Sequence, residues 1–147
     1  MRNISAIILV ALLAGVFLPA CRAHSSGGTY SDGYQYLQSK GFDKSSFAQI
    51  RSGNETKNIN TDIQGLLEVM KHSTFESQRA INPVLIVFLE SGSLSPSQAI
   101  SISISNTGHG YFTYEGAKTF FYCPELPRFC SSAFERSQIV VKYGDQL

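Results

Sequence analysis

The chain has 147 residues, with 12 lysines and arginines against 11 aspartates and glutamates and a formal net charge of +1. That length fits one domain. The balanced charge excludes both the basic face a nucleic-acid binder needs and a polybasic route to an anionic membrane.

Residues 1–20 read MRNISAIILVALLAGVFLPA, with Arg2 as the sole charge and an almost unbroken apolar run from Ile4 to Leu18. A basic start, an apolar core of this length and a small-residue exit describe a secretory signal peptide. The run is short for a membrane span, which takes about 20 apolar residues. A permanent anchor helix is the competing reading.

Leu18-Pro19-Ala20-Cys21 resembles the lipobox of bacterial lipoproteins, departing from the common pattern at Pro19. The resemblance covers the leader only. It implies a diacylglycerol on the Cys21 thiol, cleavage just before Cys21 and acylation of the new amine, with a palmitate-type chain. Arg22 stands where aspartate commonly signals inner-membrane retention, so the resemblance favours delivery to the outer membrane. Ordinary cleavage near Ala20 or Ala23 is the alternative. Several acyl chains anchor far more firmly than one, at about 0.8 kcal/mol per buried methylene.

Three cysteines are an odd number for an exported chain, and a lipid on Cys21 accounts for the odd one. Removing residues 1–20 leaves 11 basic and 11 acidic residues. Residues 21–33 read as the lipidated cysteine and a flexible tether. Residues 34–147 read as a single globular domain.

Ser31 or Asp32 is positioned to cap a short helix ending at Lys40, before Gly41. Asp43 can cap a second short helix, Lys44–Ser52, with Phe47 and Ile50 on one face. The strongest helix runs from Asp62 to His72: Ile63, Leu66, Leu67 and Met70 form one apolar stripe, and Thr61 with Gln64 has capping-box spacing. Ser73 to Ile81 adds a helical turn or a loop. Val84 to Leu89 reads as a buried strand. Residues 99–105 alternate isoleucine and serine, a clean strand signal. After a turn around His109 come strands Tyr111–Glu115 and Lys118–Cys123, with a fifth at Gln138–Tyr143. The expected fold is α+β: two or three short N-terminal helices packed on a mostly antiparallel sheet of about five strands.

Cys123 and Cys130 predict a disulfide closing a loop of about eight residues, contributing roughly 2.5 kcal/mol in the chain-entropy model. The same loop can offer Leu126, Arg128 and Phe129 to a partner. The pair lacks C-x-x-C spacing and a second ligand pair for zinc. No G-x-S-x-G elbow, P-loop, H-E-x-x-H or EF-hand pattern is present, so no cofactor, metal or catalytic residue is assigned. The expectation is a lipid-anchored bacterial envelope module that binds a protein partner or serves an envelope assembly. The alternative is a small exported hydrolase using His109 with a carboxylate such as Glu90, with Arg128 as a third group.

Overall fold

The computed structural model describes residues 30–92 and 98–137. The leader, Cys21 and the expected strand 138–143 lie outside the described residues.

Helix α1 is Gly33–Ser39, and its first turn is closed by Asp32, whose side chain accepts from Gln35 N at 2.9 Å. Tyr30 already packs edge-on against Tyr36, with ring centroids 5.5 Å apart. The part of the expected tether from Tyr30 to Gly33 therefore belongs to the domain.

The second expected helix is instead strand β1, Phe47–Ser52, which pairs antiparallel with β2, Glu55–Asn58. Its burial alternates: Ala48 and Ile50 point inward, while Phe47, Gln49 and Arg51 point out. Phe47 and Ile50 thus lie on opposite faces, because the side-chain period of a strand is two. A six-residue segment with two inward apolar side chains is ambiguous by itself. Pairing with the neighbouring strands along both edges decides it.

Helix α2, Ile63–Met70, follows a 3-10 turn at Asn60–Asp62. Its predicted stripe of Ile63, Leu66, Leu67 and Met70 is buried. The capping box does not form: Asp62 precedes the helix without a side-chain cap bond. In the segment Ser73–Ile81, Thr74–Phe75 forms the short strand β3 and the residues after it run as a loop, one of the two expectations, with no helical turn. Then come β4 (Leu85–Glu90), β5 (Ala99–Ile104), β6 (His109–Tyr114) and β7 (Ala117–Tyr122). Helix α3, Leu126–Arg136, closes the described chain.

The fold is α+β, as expected, with a larger sheet: seven strands in the order β2-β1-β4-β5-β6-β7-β3, every pair antiparallel. The helices do not all come first. The β1–β2 hairpin separates α1 from α2, and α3 follows the last strand.

Register assigns the faces. Ile50, Val87, Ile102, Phe112 and Thr119 form one row across the sheet. They are buried with Leu37 of α1, Leu66 of α2 and Leu126 of α3. All three helices therefore cover this inner face. The opposite face carries Phe47, Arg51, Phe88, Ser101, Tyr111 and Lys118. Gly65, a weak residue for a helix, has a packing reason: a Cβ there would meet the Phe129 ring at 2.8 Å, so its absence lets α3 approach α2.

Gly108 positions the start of β6. Its φ is +90°, and an added Cβ would stand 2.6 Å from the Cys123 carbonyl oxygen. Cys123 N in turn donates to Gly108 O at 2.8 Å. Gly108→Ala therefore combines left-handed strain with backbone overlap and is expected to cost about 2–3 kcal/mol. Chemical denaturation of the variant measures that loss. Wild-type stability would show that the two segments can separate freely.

Candidate functional site

The residues singled out in the sequence fall in three separate places. Glu90 ends β4, whereas His109 begins β6. Leu85 at the start of β4 aligns with Ile104, and Ile104 with Gly110. Glu90 is therefore five residues along the sheet from that row, roughly 17 Å at strand rise. Arg128 sits on α3, on the helical side of the sheet. The expected trio of Glu90, His109 and Arg128 is not assembled.

His109 has a different carboxylate. Its Nδ1 is 2.7 Å from Glu76 Oε1, and both side chains are about three-quarters buried. A carboxylate only accepts, so Nδ1 carries the proton that joins them. The Tyr122 ring packs against the imidazole, centroids 4.6 Å apart at a tilt of 36°. Arg79 Nη1 stands 3.1 Å from each ring nitrogen. Equal distances place the guanidinium across the ring, not in line with one nitrogen's lone pair. Among the described residues, Nε2 then has no in-line protein partner.

Glu76 and Arg79 are positioned by topology. β3 pairs with the outer edge of β7, and Glu76 N donates to Phe120 O at 3.0 Å beyond it. The chain then crosses to β4, where Val84 N donates to Ile104 O at 2.8 Å. Residues 79–82, Val84, Ser105–Thr107 and His109 line a partly open cavity of about 230 Å³. His109 is thus a largely buried strand residue held by partners, not the exposed turn residue its flanking glycines suggest. Nothing local in the sequence signals Glu76, 33 residues away. Among the described residues, no three histidine, cysteine or carboxylate side chains converge as a metal site would require.

The region around the cysteines is a helix rather than a loop. Pro127 fits the first turn of α3, where a missing N–H removes no helical bond. Leu126, Cys130 and Ala133 repeat at helical spacing and are buried. Leu126 is fully buried and presents nothing to a partner. Phe129 is partly buried against the core. Arg128 alone of the three is exposed, beside a shallow depression lined also by Glu125, Ser132 and Arg136. Cys123 and Cys130 are both buried thiols in this structure. Burial pushes the Cys130 thiol up to about 12, and the nearby Cys123 adds to that rise. Burial also raises the Cys123 thiol.

A third location was not anticipated. On the sheet face opposite the helices, Phe47 is 58% exposed and Phe88 37% exposed. The Arg51 guanidinium lies 5.2 Å from the Phe88 ring centroid. This side of β1 and β4 borders a small hollow lined by Phe47, Gln49, Phe88 and Glu90. The alternation of exposed residues along β1 was the available signal, hidden while the segment read as a helix.

Among the described residues, no helix is long and apolar enough to cross a membrane. Comparison of the chain with known protein families, with curated proteins and with solved structures finds no match.

Proposed function

We propose that this protein is a lipid-anchored module of a bacterial cell envelope that binds a protein partner. The observation that carries the binding role is the exposed aromatic pair Phe47 and Phe88 at the β1–β4 end of the outer sheet face. Three helices cover the inner face of the sheet, and the β1–β4 part of the other face keeps Phe47 and Phe88 in water. Exposed aromatic side chains beside an arginine are the composition of contact surfaces. The fitting partner surface is apolar and carries a carboxylate opposite Arg51.

The location rests on the leader and on the lipobox-like Leu18-Pro19-Ala20-Cys21. Cys21 carries the lipid, and the outer membrane is the favoured destination. Only eight residues separate Cys21 from Tyr30. At roughly 5–6 Å times the square root of length, their average span is about 16 Å, which keeps the domain close to the bilayer. Cys123 and Cys130 form the one disulfide of the mature chain. The support is their shared burial in the core, with Cys123 near enough to act on Cys130, together with an oxidising export compartment.

A photo-crosslinking side chain at Phe88, introduced in living cells, is expected to capture a discrete envelope protein. The same group at Gln38, exposed on α1, is expected to capture none. Phe47→Glu should weaken capture from Phe88 by at least about tenfold, since one lost aromatic anchor costs more than 1.4 kcal/mol. Equal capture from both faces, or none from Phe88, refutes the surface assignment.

A further inference from the structure

The cavity beside His109 has a specific hydrogen-bonding character, independent of the open face over β1 and β4. We propose that it is a binding site for a small oxyanion that carries an O–H group next to its charge. A hydrogen phosphate group and a 2-hydroxy carboxylate are the two sources of that chemistry.

Accounting for protons leads there. Glu76 takes the Nδ1 proton of His109, at 2.7 Å. In the neutral imidazole, which has one donor and one acceptor, that leaves Nε2 as an acceptor. Ser105 Oγ donates to His109 O at 2.8 Å, since a carbonyl only accepts. Its single proton is then used, so the 2.9 Å contact with Thr107 Oγ1 must be donated by Thr107. Thr107 Oγ1 is therefore also left as an acceptor. Beside these two acceptors stands Arg79, half exposed and able to turn its fork toward an anion.

One cationic fork next to two acceptors is not complementary to a bare anion, which has no proton to give. It is complementary to an anion with a hydroxyl: the charged oxygens meet Arg79, and the O–H meets Nε2 or Thr107. Asn82 and Asn106 on the rim add amides that both donate and accept. About 230 Å³ admits such a group with a few attached atoms, below the 300 Å³ or more usual for larger ligands. Ile81 and Val84 give one wall an apolar character suited to a short carbon stem.

The test is titration of the full chain in detergent micelles, followed by amide chemical shifts at constant ionic strength. The four probes are inorganic phosphate, lactate, sulfate and acetate. Saturable shifts confined to residues 79–84 and 105–109 are expected with phosphate or with lactate. Whichever probe saturates more tightly names the source. Sulfate and acetate, which lack the O–H at neutral pH, should bind about tenfold more weakly, the value of one good hydrogen bond. Arg79→Gln should cost at least about tenfold with the fold unchanged, because Arg79 is half exposed. Sulfate and acetate binding as tightly as phosphate and lactate would overturn the requirement for an O–H. No saturation by any probe, or saturation unaffected by Arg79→Gln, would overturn the site. Neither result bears on crosslinking from Phe88, so the two proposals fail separately.

Discussion

Phe112→Ala is expected to destabilise the domain by about 3–5 kcal/mol, enough to unfold a marginally stable protein. Phe112 is completely buried at the centre of β6. Its ring lies 4.7 Å from those of Tyr36 and Phe121, joining α1 to the sheet and to β7. Its register partners Ile102 and Thr119 are held by backbone ladders and cannot move in to fill the space. The loss combines burial of the ring with a cavity that cannot collapse. Phe88→Ala, in the same sheet but on the opposite face and 37% exposed, should cost distinctly less, about 1–2 kcal/mol. Guanidinium unfolding of both variants, with unchanged m values, measures the contrast. Equal losses would mean that the two faces are wrongly distinguished.

The second large effect concerns Cys123 and Cys130. With both reduced, the folded state holds the Cys130 thiol at about 12, against an ordinary value of 9.0. The folded pKa is raised, so the neutral thiol's contribution is fully present below pH 9. It is lost as pH rises towards 12, because the unfolded chain releases the proton first. Reduced protein should therefore lose stability steadily across that window. Cys130→Ala should flatten the cysteine-dependent part of the slope. The oxidised protein, with no thiol to titrate at either position, should lack it and gain roughly 2.5 kcal/mol by the chain-entropy estimate. Denaturation between pH 7 and 11, with and without reductant, reads both effects. A slope and stability indifferent to reductant would exclude the disulfide. The same burial should make native Cys130 nearly inert to alkylation, since the thiolate is the reactive form.

Where one residue's environment was set by its neighbours in the chain, the sequence was readable. The stripe in α2 is buried as its 3.6-residue period requires. Ile100, Ile102 and Ile104 all face inward, as their alternation requires. The misread segments depended on distant partners. In β1, Ala48 and Ile50 are too few to establish a period, and the strand exists because β4 and β2 pair with it on both sides. In α3, the two cysteines and two prolines suggested a closed loop. The helix is held instead by its buried stripe of Leu126, Cys130 and Ala133 and by contacts far away in the chain. Lys57 Nζ donates to Phe134 O at 2.9 Å, and Arg136 pairs with Asp62 at 2.7 Å. The Glu76–His109 pair follows from β3 docking at the far edge of β7. A two-residue strand leaves almost no local pattern to recognise.

Phe47 and Phe88 and the cavity beside His109 describe what the domain offers, and on the proposed function the leader sets where it is offered. Intact-mass analysis of the protein purified from its own membranes tests that claim most directly. The account predicts a chain beginning at Cys21, heavier than its sequence by a diacylglycerol and an amide-linked acyl chain, with no free thiol at Cys123 or Cys130. A chain beginning at another residue, with Cys21 unmodified or removed, would contradict it.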